Sequence, residues 1–161
     1  MPDQPVQKTR VYLDNCCFNR PYDDLENIAV RLEAEAKLHI QHQIFLGDLE
    51  LAWSYMMDYE NSLNPFSEKR DAIARWKFMA VVDIGDSEGN VESAKKIALK
   101  GIKKKDSLHP ASAIEAGCHY FLTTDKKIFN KTFEQIRAMN PLDFIRQQGE
   151  SIHATGHNHK K

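Results

Sequence analysis

The sequence predicts an α/β protein, a three-layer α/β/α arrangement around a central, mostly parallel sheet. Three observations carry that prediction. Short apolar runs recur at Arg10 to Asp14, Ala80 to Ile84 and Tyr120 to Thr123. Longer stretches with helical periodicity separate them, and such alternation makes parallel βαβ units. Two of the runs stop on an acid, Asp14 and Asp125. In an open parallel sheet, ligands lie at the edge formed by the strand carboxyl ends. Two strand-then-Asp units ending on one edge would bring those carboxylates together.

The elements follow in order. Val11, Tyr12 and Leu13 have the bulk of a buried strand, and Asp14 with Asn15 ends it. Asn19 to Asp24 is rich in turn formers. Leu25, Ile28, Ala29, Leu32, Ala36, Leu38 and Ile40 then recur at near-helical spacing, which predicts one inward face with Arg31, Glu33, Glu35 and Lys37 outside. Gly47-Asp48 breaks that helix, and Leu51, Trp53 and Tyr55 alternate as a second strand over Leu49 to Tyr55. Met56 to Leu63 reads as helix, closed by Asn64-Pro65, and Ser67 opens another that runs through Met79. Val91 to Lys100 and Asp106 to Glu115 are helices, the second ended by Gly117. Lys126 to Phe129 makes one turn, Gln135 to Met139 an edge strand, and Leu142 to Gln147 a last helix.

A chain of 161 residues suits one domain with a real core. Residues 9–148 form that domain, after a polar lead-in over 1–8 and before a flexible tail over 149–161 rich in Ser, His, Gly, Asn and Lys. The net charge of -1 excludes a molecule that binds nucleic acid by bulk charge, so such a role needs local patches. No apolar run approaches the roughly 18 residues of a membrane span. The polar first ten residues lack a signal region and point to the cytoplasm. Three cysteines, two of them adjacent, are no disulfide framework and read as small buried hydrophobes.

Four acids stand out by context. Asp14 and Asp125 follow strands, Asp106 opens a helix after Lys103, Lys104 and Lys105, and Glu60 lies on a helix among apolar neighbours. The blocks around them are Tyr12-Leu-Asp14-Asn15, Asp58-Tyr-Glu60 with Asn64-Pro65, Asp106-Ser-Leu-His-Pro-Ala111-Ser-Ala113 and Phe121-Leu-Thr-Thr-Asp125-Lys. In that order and spacing they resemble the PIN-domain family, nucleases best known as the toxins of bacterial toxin–antitoxin pairs. The resemblance spans Val11 to about Phe144. Pro110 inside the third block departs from the pattern.

The resemblance implies a metal-dependent ribonuclease with Asp14, Glu60, Asp106 and Asp125 as catalytic and metal-ligating acids, Asp14 and Asp125 foremost. Elementary electrostatics is compatible. Two carboxylates 4 Å apart repel by about 4 kcal/mol at an effective dielectric of 20. A divalent cation relieves that, and all-oxygen ligation selects Mg²⁺ or Mn²⁺ over zinc. Asn15, Thr123, Arg20 and Lys105 are the candidates for substrate or supporting contacts. Lysines flanking Asp106 and Asp125 would hold phosphates. RNA is the implied substrate; an antitoxin and a homodimer are the implied protein partners, with no membrane.

Rival readings fit less well. A haloacid-type phosphatase wants an acid where Cys16 stands, and a cysteine phosphatase wants an arginine where Tyr22 or Asp23 stands. His39 and His42 have no paired cysteines for a zinc site. The strongest alternative is a PIN-like module that binds RNA or protein without cutting.

Overall fold

The structure is a computed structural model that describes residues 7–18 and 27–149. The turn-rich segment with Arg20, and the tail from residue 150, lie outside the described residues.

Five parallel strands form one sheet: β1 (Arg10–Leu13), β2 (Glu50–Ser54), β3 (Ala80–Ile84), β4 (Tyr120–Leu122) and β5 (Arg137–Met139), in the order β3-β2-β1-β4-β5. The mixed α/β architecture with an all-parallel central sheet is the predicted class. Among the described residues, seven helices accompany it: α1 (Ile28–Phe45), α2 (Tyr55–Ser62), α3 (Ser67–Trp76), α4 (Glu88–Ala98), α5 (Lys104–Glu115), α6 (Lys126–Phe129) and α7 over 141–149. Chain order runs outward from β1 to β3, then returns past β1 to β4 and β5. Right-handed crossovers therefore put the helices before and after that return on opposite faces. The reversal makes β1 and β4 the topological switch point, where the crevice at the carboxyl ends opens.

The middle strands are apolar because both of their faces are covered. Val11, Tyr12, Leu13, Leu51, Ala52, Trp53, Phe121 and Leu122 are all buried. Tyr12 stacks on Phe121 with ring centroids 5.3 Å apart. Edge strand β3 instead alternates between half-buried and exposed residues. Among the described residues, no helix is long and apolar enough to cross a membrane.

Two expectations are corrected here. The inward face of α1 is Ala34, Ala36, Lys37, Ile40 and Ile44, while Ile28, Leu32 and Leu38 are exposed. Lys37, expected outside, is buried because its Nζ donates to the Cys16 carbonyl at 3.0 Å, and Gln41 one turn on donates to Cys17 O at 3.1 Å. Among the described residues no backbone N–H pairs with these two carbonyls of the turn after β1, and α1 side chains satisfy them. The second correction concerns α5. It begins at Lys104 with Lys103 as its cap, two residues before the expected start, so Asp106 is a first-turn residue and Pro110 lies inside the helix. Pro110 has no N–H to give to the Asp106 carbonyl.

All three cysteines are free, with Cys17 and Cys118 buried and Cys16 half-buried. Burial pushes the Cys118 thiol up to about 12. The neighbouring Cys16 thiol and burial push Cys17 up, whereas a hydrogen bond from the Cys17 thiol holds Cys16 below its usual value. Since the thiolate is the reactive form, Ellman's reagent should titrate one thiol quickly in the native protein. Cys17 and Cys118 should appear only on unfolding; three fast thiols would contradict the packing.

Candidate metal centre and its buried support

The site is built at the switch point. The Asp14 N–H donates to Leu122 O at 3.0 Å, extending the β1–β4 ladder one residue past the strand. Its side chain then turns into the crevice. Oδ1 accepts the Asn15 N–H at 2.7 Å and caps a 3-10 turn over Asn15–Cys17. Oδ2 accepts the Thr123 hydroxyl at 2.8 Å. Thr123 is fully buried, and its Oγ1 also accepts the Asp125 N–H at 3.1 Å. One hydroxyl thus ties the ends of β1 and β4 together. The Asp125 carboxylate accepts the Lys127 N–H at 3.0 Å as the cap of α6.

A third element completes the cluster. His109, on α5, has its side chain only 3% exposed, with Nε2 2.8 Å from Glu60 Oε1 and 3.9 Å from Asp14 Oδ1. Asp14, Glu60 and His109 each place a ligand atom within 4.8 Å of the others. The two carboxylates keep some solvent contact, 14% for Asp14 and 22% for Glu60. Neither Asp106 nor Asp125 belongs to this trio. Asp106 is half-buried one turn before His109 on the same face of α5.

His109 is held from behind. Its Nδ1 lies 2.6 Å from the Tyr12 hydroxyl, which lies 2.6 Å from Ser54 Oγ. Burial alone would lower the imidazole's pKa, but the hydrogen bond to Glu60 and the charges of Asp14 and Glu60 outweigh it and raise it above the usual 6.5. Burial raises Asp14 above the usual carboxylate range, opposed by His109 and Thr123. Burial also drives the Tyr12 phenol well above 10, which keeps it a neutral donor. With the ring protonated, Nε2–H donates to Glu60, Nδ1–H donates to Tyr12 Oη and the Tyr12 hydroxyl donates to Ser54; with the ring neutral, Nε2–H still donates to Glu60 and the chain behind it reverses, Ser54 donating to Tyr12 and Tyr12 to Nδ1.

Removing one hydroxyl tests this chain. Tyr12→Phe leaves His109 Nδ1 and Ser54 Oγ without their shared buried partner, at a cost of about 1–3 kcal/mol. Urea unfolding should record that loss, and an unchanged midpoint would mean the bond carries nothing.

The remaining candidates have definite places. Asn15 lies in the capped turn, and its side-chain oxygen is buried with no hydrogen-bond partner among the described residues. Lys105 sets its ammonium 5.1 Å over the ring of Tyr59, the neighbour of Glu60. Arg20 lies outside the described residues. Reasoning from sequence passed over His109, Tyr12 and Ser54. The available signal was spacing: His109 falls three residues after Asp106, a same-face interval, inside a block of otherwise small residues.

No protein-family model matches the chain, and no curated protein matches it. Among solved structures, a chain from the crystal structure of VapBC2 from Rickettsia felis bound to a DNA fragment from their promoter is similar in fold. Its TM-score is 0.50 at 14% identity, over 82% of this chain and 98% of that one. The architecture is consistent with a PIN-like fold, and identity at that level speaks to fold alone.

Proposed function

We propose that the chain is a metal-dependent ribonuclease of the PIN-like class, hydrolysing RNA phosphodiester bonds at the carboxyl end of β1 and β4. The observation that carries this reading is the convergence of Asp14, Glu60 and His109, from three separate elements, on one crevice at the switch point.

The donor set fits a divalent ion. Two carboxylates and an imidazole lie close enough to share one, and an ion held there would displace the Nε2 proton of His109, because an imidazolium has no lone pair to give a metal. The Asn15 side-chain oxygen is a further buried acceptor with no partner among the described residues. A nitrogen donor shifts the preference from Mg²⁺ toward Mn²⁺ and other first-row ions. Bound there, such an ion supplies an acidified water and positive charge for the phosphate. The protein's own groups do the rest. Asp14 and Glu60 hold the charge, and Thr123 fixes the Asp14 carboxylate. Tyr12 and Ser54 fix the imidazole. In this reading Asp106 and Asp125 orient water, and Lys103, Lys104, Lys105, Lys126 and Lys127 guide phosphates. The motif resemblance, together with the likeness to a VapBC2 complex, supports a toxin role with an antitoxin partner. Location in the cytoplasm and a homodimer belong to the same reading.

A labelled single-stranded RNA incubated with Mn²⁺, Mg²⁺ or EDTA tests it. Cleavage with either ion, leaving a 5′-phosphate and a 3′-hydroxyl, and none with EDTA is the expected result. Intact RNA in the presence of folded protein and Mn²⁺ would overturn it.

One observation favours a second reading, a module that binds without cutting. His109 gives Asp14 and Glu60 a positive partner of their own, so their closeness does not by itself demand a metal. The same assay separates the two.

A further inference from the structure

A groove of about 580 Å³ runs between α1 and α3, with Phe18, at the end of the 3-10 turn that Asp14 caps, in its wall. Its aromatic wall is Phe18, Trp76 and Phe66, with Gln41 and Lys69 at its polar side. We propose that this groove is a nucleobase subsite, which seats one unstacked base of a single-stranded RNA next to the phosphodiester at the acidic trio. It rests on the ribonuclease reading for its substrate class.

Position is the first support. Phe18 ends the 3-10 turn that Asp14 caps, and Gln41 both lines the groove and donates to Cys17 O in that turn. The chain that fixes the reactive carboxylate therefore also fixes the groove, so a ligand spanning both is held in register. Chemistry is the second. Phe18 packs at 6.0 Å against Trp76 and at 5.7 Å against Trp53, a rigid aromatic floor. Phe66 is 59% exposed, and the Lys69 ammonium lies 4.5 Å from its ring centre. An exposed ring with a cation over one face suits a base stacked beside a phosphate. With its amide nitrogen engaged by Cys17 O, Gln41 retains a carbonyl oxygen that can accept from a base edge. Charge is the third. Among the described residues the groove carries one lysine and one acid, Lys69 and Glu68. That balance disfavours a run of phosphates and suits a single uncharged planar group.

Binding measured in EDTA, where nothing is cut, tests the proposal with a mixed-sequence single-stranded RNA on wild type, Phe66→Ala and Phe78→Ala. Base stacking is worth about 1–3 kcal/mol, so Phe66→Ala should weaken binding by about tenfold. An oligonucleotide made abasic throughout should bind wild type as weakly as intact RNA binds the variant. Phe78, 88% exposed on the 3-10 turn after α3, controls for loss of a surface aromatic and should leave affinity unchanged. RNA should also quench the fluorescence of Trp76, measured in a Trp53→Phe background that thermal melting shows to be folded. Equal affinity in wild type and Phe66→Ala would overturn the groove assignment. The two readings fail separately: Mn²⁺-dependent cleavage with an unchanged KM in Phe66→Ala removes the subsite alone. Phe66-dependent RNA binding without cleavage removes the nuclease alone.

Discussion

Asp14→Asn should reduce Mn²⁺-dependent RNA cleavage by about 10³-fold or more while the protein stays folded. Losing one anionic ligand from a charged transition-state site costs several kcal/mol, and about 4 kcal/mol corresponds to 10³ in rate. Folding responds differently. The amide oxygen that replaces the carboxylate would still accept from the Thr123 hydroxyl or the Asn15 N–H, the two bonds that hold the native Asp14 side chain. Substitution also removes a buried charge whose desolvation raises its pKa and which faces Glu60. Stability in EDTA should therefore change by less than about 1 kcal/mol, since the lost attraction to His109 and the lost repulsion oppose each other. Rates from single-turnover cleavage and midpoints from urea unfolding check the two halves. Full activity in the variant would remove Asp14 from the mechanism.

His109→Leu should be the most destabilising change in the site. The imidazole is almost fully buried and serves three partners: Glu60, Asp14 and Tyr12. Deleting it uncovers the repulsion between two carboxylates and strips Tyr12 of one buried bond. Removing one member of such a network costs about 3–5 kcal/mol. The partial exposure of Glu60, which lets water replace the lost donor, puts this case at the low end, about 3 kcal/mol. For a chain of this length that lowers Tm by about 6–12 °C. The pH dependence has a definite sign. His109 holds its proton more tightly folded than unfolded, so its contribution is complete below the usual 6.5 and disappears as pH rises through the raised folded value. Asp14, also raised, acts in the same direction nearer its own range. Metal-free wild type should therefore lose stability as pH rises from about 6 through that raised value, and His109→Leu should lose much less. Urea midpoints in EDTA across that range measure it; parallel curves would mean His109 is not the titrating partner.

The sheet and two of the four acids were the most legible features. A run such as Val11 to Leu13 that stops on Asp14 announces a buried strand and its end by composition alone, and Tyr120 to Thr123 does the same before Asp125. The register of β1 against β4, Leu13 opposite Leu122, then follows from packing two such runs side by side. The face of α1 was not legible. Its apolar residues lie on two sides, and the side that turns in, with Ala34, Ala36, Ile40 and Ile44, is also the one from which Lys37 and Gln41 reach the Cys16 and Cys17 carbonyls. Those carbonyls exist only once the 3-10 turn has formed. His109 was hidden for a related reason. Its neighbours in sequence are Leu108 and Pro110, whereas its chemistry comes from Glu60, Asp14 and Tyr12, 49 to 97 positions away. Sequence reasoning found negative charges without the positive group that answers them, and so assigned all of the neutralisation to a metal. In the metal-free protein His109, whose pKa is raised, against the effect of burial, by Glu60 and Asp14, does part of that work as an imidazolium.

The claim on which the account turns is that Asp14, Glu60 and His109 bind one divalent ion. Electron paramagnetic resonance of Mn²⁺ titrated into the metal-free protein measures this without reference to activity. The account predicts one bound ion per chain, with an imidazole nitrogen coupling that His109→Leu abolishes and an affinity that Asp14→Asn lowers by about tenfold or more. No bound Mn²⁺, or Mn²⁺ bound equally well by both variants with no nitrogen coupling, would contradict it.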